Sequence, residues 1–180
     1  MRIPLPKLKA IILYFATFTD PRFLGKVKLM KLFYFLDFIH LKKYGAPVTY
    51  DTYVNLEHGP IPTAIKNLID TADDDIDNSV LADMVKFHQS EGANMHRVMV
   101  TRKFNEQDKR YFTAAELEVL ETVCRRFGDK PTQYIEEAAH KEAPWRETHL
   151  LETIPYTLAT RDADCLVSEE EIRTMLSITT

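Results

Sequence analysis

Tyr34, Asp37, Tyr53 and His58 are the side chains of this 180-residue chain best suited to acid–base chemistry. One carboxylate, one imidazole and two phenols sharing a cleft can hold or relay a proton, since burial and mutual hydrogen bonds shift such groups away from their ordinary pKa values. No positioned nucleophile accompanies them. Ser79, Ser90, Ser168 and Ser177 all lack a Gly-x-Ser-x-Gly setting, so the strained elbow that presents a hydrolase serine is missing. The cleft is an enzyme-like reading with no reacting atom assigned. Its structural alternative is favoured: a buried carboxylate needs partners, and Asp37 paired with Tyr34 or His58 would fix the turn at 58–62 against the helix that carries Asp37.

Cofactor and metal patterns are sparse. Gly25, Gly45, Gly59, Gly92 and Gly128 stand alone, which leaves no glycine-rich loop to cradle a phosphate and no dinucleotide fingerprint. Asp73, Asp75 and Asp77 have the opening spacing of a calcium loop, but Asn78 stands where that loop needs Gly and Met84 where it needs a bidentate Glu. They read as a solvated acidic loop. Glu137 and His140 form a single Glu-x-x-His pair, whereas a di-metal carboxylate site needs a second pair and two further carboxylates. No metal and no cofactor are expected.

The element that must position these groups is the stretch 27–44. With successive helical residues about 100° apart, Lys28, Lys31 and Lys42 fall on one narrow arc. Leu29, Leu32, Phe33, Leu36, Ile39 and His40 cover most of the remaining circumference. A helix with so little polar surface belongs in the middle of a domain, and the lysine arc is expected to be its exposed edge, with Asp37 about opposite. Tyr44, Gly45 and Pro47 close the helix. His58, Gly59, Pro60, Ile61 and Pro62 then make a Gly-Pro-x-Pro turn, in which Gly59 is expected to take a conformation that side chains resist. The prolines are expected to start the next helix at once, with Ile61, Ile65, Leu68 and Ile69 inward.

Helical patterns dominate elsewhere. An opening helix at 5–18 carries Leu8, Ile11, Ile12 and Phe15 on one face, and the segment 48–56 suits a short strand at best. Runs at 85–88 and 97–101 alternate with period two around the polar residues 90–94, which signals a hairpin. Thr113 and Glu116 have capping-box spacing ahead of a helix that runs to Phe127 and Gly128. A second helix follows from Asp129 and Pro131 with Tyr134, Ile135, Ala138 and Ala139 inward, giving a helix–turn–helix unit over 113–140. Ser168 and Glu171 cap a last helix bearing Ile172, Met175 and Leu176, and 153–164 reads as an extended arm. The fold class is mainly α: a single-domain helical bundle around the central hydrophobic helix of about 27–44, with a small β-hairpin at about 85–101. Residues 1–150 form the domain, and 151–180 a C-terminal arm and helix packed on it.

A net charge of −4 argues against a protein that coats nucleic acid, because nonspecific affinity comes from neutralising phosphates with Lys and Arg. Arg97, Arg102, Lys103, Lys109, Arg110, Arg125 and Arg126 read as solvated surface. DNA is not an expected partner, and the adjacent Glu136 and Glu137 on the second helix of the 113–140 unit would face phosphates badly. No apolar run is long enough to span a bilayer, no secretory signal is evident, and Cys124 and Cys165 read as reduced thiols in a cytoplasmic protein.

Lys31-Leu32-Phe33-Tyr34, followed by Lys43-Tyr44-Gly45 and then His58-Gly59-Pro60-Ile61-Pro62, resembles the signature of the Panacea domain. This is the SocA-like antitoxin family of bacteria and their phages. The stretch from Thr113, Glu116 and Leu117 through Phe127 and Gly128 to His140, Pro144 and Trp145 looks like the family's second block. Leu56 stands where the commonest form has Trp, and the turn is one residue shorter, as in a shorter-turn subgroup. The resemblance implies an antitoxin that neutralises a toxin encoded beside it by direct binding. In the SocA type it also implies an adaptor that delivers the toxin to a bacterial protease. It implies no enzymatic activity. The groups expected to stay exposed, Lys28, Lys31, Lys42, Tyr53 and His58, are then the candidate partner surface. Tyr34, Asp37, Gly45, Gly59, Pro60, Pro62, His140 and Trp145 are expected to hold the motif together. The alternatives are a DNA-binding regulator built on 113–140 and an uncharacterised enzyme using Tyr34, Asp37 and His58.

Overall fold

The computed structural model describes residues 3–89 and 95–178. It is mainly helical with small antiparallel sheets. The opening helix α1 (Leu5–Phe18) buries Leu8, Ile11, Ile12 and Phe15, and Asp20 turns the chain into α2 (Lys26–Tyr44). Every side chain of α2 from Lys28 to Phe38 is buried, as suits a helix with almost no polar face. Phe15 meets Phe33 edge-on at 5.5 Å, and Phe35 lies 4.4 Å from Phe127. The helix stops at Gly45, which takes φ +81° and returns its N–H to the carbonyl of Leu41 at 2.8 Å; a left-handed closure of this kind favours glycine.

After the turn the chain departs from expectation. Ile61 and Pro62 form strand β2 (Ile61–Pro62), antiparallel to β1 (Tyr53–Val54), so the helix does not start at Pro60. Helix α3 (Thr63–Asp74) begins later because its cap comes from a distance: the Asp51 carboxylate accepts from the N–H groups of Ala64 at 3.1 Å and Ile65 at 2.9 Å. A carboxylate there satisfies orphan donors and suits the positive end of the helix. The expected hairpin is present as β3 (Val85–Gln89) and β4 (His96–Val100), which pair with Phe87 opposite Val98. Its expected turn at 90–94 lies outside the described residues.

Helix α4 (Ala114–Phe127) opens on the Thr113–Glu116 capping box, with both reciprocal bonds made. In α5 (Thr132–His140), Ile135 and Ala139 point inward, whereas Tyr134 is exposed. Residues four apart share a helix face, and Tyr134 sits off the Ile135–Ala139 row. The short α6 (Ala143–Arg146) carries Trp145. The arm at 153–164 is more ordered than its sequence pattern suggested. Strand β5 (Thr153–Ile154) adds to β1 and gives the sheet order β2-β1-β5. A 3-10 helix (Tyr156–Arg161) stacks Tyr156 on Phe38 at 5.2 Å. The last helix, α7 (Glu169–Ile178), starts on the Ser168–Glu171 box and buries Ile172, but leaves Met175 half-exposed.

Candidate functional site

The lysine arc of α2 is not at the surface. Lys28 and Lys31 are fully buried and Lys42 nearly so, because α4, α5, β2 and the 3-10 helix pack over the arc that carries them. An ammonium inside a protein needs acceptors, and each lysine reaches different ones. Lys28 donates to the carbonyls of Gly128 at 3.2 Å and Lys130 at 2.6 Å, at the carbonyl-rich end of α4 where a cation is favoured. Burial nevertheless lowers its pKa to about 8. Lys31 donates to the carbonyl of Pro60 at 2.9 Å, and burial lowers its pKa to about 7, with Glu136 opposing. Lys42 is held by Glu142, Asp162 and Asp164 at 3.1, 2.9 and 3.0 Å. Burial pulls its pKa down, but the three carboxylates outweigh that and raise it.

Asp37 is fully buried, although neither Tyr34 nor His58 is its partner. Its carboxylate accepts from the N–H groups of Val48 at 2.8 Å and Thr49 at 2.7 Å, from the Thr49 hydroxyl, and from Tyr53 Oη at 2.8 Å. Burial raises its pKa to about 6 against the pull of those donors. Tyr53, expected on an exposed rim, is buried: its ring packs on Tyr34, Phe38 and Tyr156, and its hydroxyl also meets the carbonyl of Phe33 at 3.0 Å. Tyr34 turns the other way and donates to Glu142 at 2.9 Å. The expected cleft of Tyr34, Asp37, Tyr53 and His58 is thus two separate internal knots, Asp37 with Tyr53 and Tyr34 with Glu142, with His58 in neither.

The Gly-Pro turn is held by residues of α2, α5 and α6. Gly59 takes φ +99°, and a β-carbon there would stand 3.0 Å from Lys31 Nζ and 3.5 Å from His140 Nε2. His140 stacks on Trp145 with ring centroids 4.0 Å apart, and Trp145 Nε1 donates to the carbonyl of Leu56 at 3.1 Å. Leu56 also receives the N–H of Gly59 at 2.8 Å. Pro60 supplies the acceptor for Lys31, and Pro62 ends β2 at the threshold of α3. The signature residues of α2, the turn and α5–α6 therefore meet in one small volume.

His58 is the one member of the expected partner surface that remains exposed; its side chain is 74% accessible, and Nδ1 lies 3.9 Å from Glu136. It stands on the rim of a cleft of about 460 Å³ lined by Val27, Lys28, His58, His96, Thr132 and Glu136. Lys28 and His58 are thereby brought together, Lys31 lies beneath the adjoining turn, and Lys42 and Tyr53 are elsewhere. One edge of the cleft is an ion cluster in which Asp73 accepts from Lys26 at 2.6 Å and His96 at 2.8 Å. Val27 presents an apolar side chain, 45% accessible, beside it. Asp75 and Asp77 do not join Asp73: Asp75 accepts from Asn78, and Asp77 is exposed.

Sequence reasoning missed Glu142, Asp162, Asp164 and Thr49. Glu142 adjoins the Pro144–Trp145 block, and α2 carries five lysines against one carboxylate, so a demand for distant acids was present in the sequence. Asp162 and Asp164 sit in a stretch without periodicity and gave no signal. The family described as antitoxin SocA-like, Panacea domain, matches residues 29–146 of the chain. No curated protein and no solved structure matches it.

Proposed function

The chain belongs to the SocA-like antitoxin family, the Panacea domain, and on that footing we propose that it neutralises a toxin encoded beside it by binding that toxin directly, without catalysing a reaction. One observation carries the reading. Lys31, Tyr34, Asp37 and Trp145 spend their polar groups inside the fold, on Pro60, Glu142, the 48–53 segment and Leu56, whereas His58 and Val27 are left at the mouth of the cleft beside the turn. A buried framework with an exposed rim is what recognition requires, since a preorganised surface loses little entropy on binding. Asp37, surrounded by four donors, has no lone pair set aside for a substrate.

The toxin contact is accordingly placed at the cleft rather than along the lysine arc. DNA is not the partner on this reading, because α5 carries Glu136 and Glu137, and Arg126 is engaged over the rings of Phe35 and Phe127. Among the described residues no helix is long and apolar enough to cross a membrane, which suits a partner met in the cytoplasm. Handover to a bacterial protease is a second step of the same proposal. Co-expression with the adjacent reading frame tests it: that frame alone arrests growth, and this chain restores it. Growth arrest that persists in the presence of the folded chain would exclude neutralisation, and a shortened toxin half-life on co-expression would separate an adaptor from a simple blocker.

A further inference from the structure

His140 is placed oddly for a histidine. Its Nε2 is buried and has no hydrogen-bond partner among the described residues, and it faces the same glycine hydrogen as the Lys31 ammonium. Two basic nitrogens thus approach the one point that a β-carbon on Gly59 would occupy, and Lys31, bonded to Pro60, is the first of them to charge as pH falls through about 7. A neutral imidazole with its lone pair on Nε2 is compatible with a neighbouring ammonium. An imidazolium is not, because like charges at short range in a poorly solvated site repel strongly.

We infer that His140 is a proton-operated latch on the Gly-Pro turn: neutral, it packs beside Lys31 and lets the turn close; protonated, it sets a second buried cation against Gly59 and loosens the turn. The charged groups around it set the balance. Lys31 from α2 and His58 from the turn oppose protonation, and Glu136 and Glu137 from α5 itself favour it. Burial first and Lys31 next hold the imidazole below its ordinary value of 6.5. Opening would act on the turn in two places, the Gly59 N–H bond to Leu56 and the Lys31 bond to Pro60, and His58 and Glu136 link both to the neighbouring cleft. The latch is a property of the isolated chain and holds whether or not a toxin binds beside the turn.

Trp145 makes the latch directly readable. It is the only tryptophan in the chain, it stacks on His140, and an imidazolium quenches indole emission more than a neutral imidazole does. Emission of the purified protein, followed from about pH 8 to about pH 5, is expected to fall with a midpoint below 6.5, and the fall is expected to vanish in His140→Gln. Lys31→Met removes the opposing cation and should move the midpoint up. Glu136→Gln removes a favouring carboxylate and should move it down, and because this near-isosteric change at a partly buried side chain adds no cavity, the variant serves even where Lys31→Met does not fold. Exchange of the Gly59 amide should quicken about tenfold or more below the midpoint, as expected for local opening. Emission that is flat with pH, a fall that persists in His140→Gln, or a midpoint that Glu136→Gln leaves in place would overturn the latch.

Discussion

Lys31 donates its ammonium to the carbonyl of Pro60 at 2.9 Å, and the same nitrogen stands 3.0 Å from the point that a β-carbon on Gly59 would occupy. The turn therefore combines a backbone conformation that resists side chains, φ +99° at Gly59, with a tight contact that the Lys31 ammonium would have to yield. Gly59→Val is expected to destabilise the protein by about 1–3 kcal/mol. Urea denaturation is the check, and an unchanged midpoint would mean that the turn bears no strain.

Asp37 ties the end of α2 to the chain entering β1. Asp37→Ala would leave the N–H groups of Val48 and Thr49 and the hydroxyl of Tyr53 without their acceptor, at a cost of about 2–4 kcal/mol. Tyr53→Phe removes one donor only and should cost clearly less. Equal losses in the two variants, measured by chemical denaturation, would show that the carboxylate is not the hub.

The knot around Lys42 joins the domain core to the C-terminal segment, through Asp162 and Asp164 and through the N–H of Leu166 to the carbonyl of Lys42 at 2.8 Å. Lys42→Met would leave Glu142 and Asp162 without their cation, and such uncompensated buried charge costs about 3–5 kcal/mol. Asp164 is largely exposed, so Asp164→Asn should cost under about 1 kcal/mol. Limited proteolysis within 153–164 should accelerate in the first variant and not in the second.

Stability should also depend on pH through the buried lysines. Lys31 and Lys28 hold pKa values near 7 and 8 in the folded chain, against 10.5 when solvated. Between those values the unfolded state binds more protons than the folded one, so stability rises with pH from about 7 to about 10.5. Asp37 acts in a lower window with the opposite sign: its folded value near 6 exceeds the ordinary 3.8, so stability falls as pH rises from 3.8 to 6. Lys31→Met should flatten the alkaline rise while leaving the acid limb intact, and a series of urea midpoints across pH reads both.

The helices were legible because their apolar positions repeat at helical spacing and their ends carry recognisable caps; α1, α4 and the left-handed stop at Gly45 follow from local rules. The β-hairpin was legible from period-two alternation. Global solvation was not. A helical arc of lysines normally faces water, and only the wrapping of α4, α5 and the 3-10 helix around α2 turns it inward. Helix α3 starts later than its prolines suggest because its cap, Asp51, lies a dozen residues upstream, and the partners of Lys42 come from a hundred or more residues away. The turn at 58–62 was recognisable as a motif, yet its clamp, Lys31 against His140 and Trp145, depends on tertiary placement that no local pattern encodes.

On the proposed function, a toxin docks at the cleft beside His58. Val27→Glu combined with His58→Ala alters only the mouth of that cleft: both side chains are well exposed, and an acidic residue in the first turn of α2 suits the helix dipole. The decisive measurement is co-purification of the tagged toxin with wild-type protein and with this variant, with the thermal transition followed by circular dichroism as the folding control. An unchanged transition and a loss of retained toxin of at least about tenfold are expected if these side chains anchor the contact. A variant that melts like the wild type and retains the toxin in full would contradict it and move the binding surface away from this cleft.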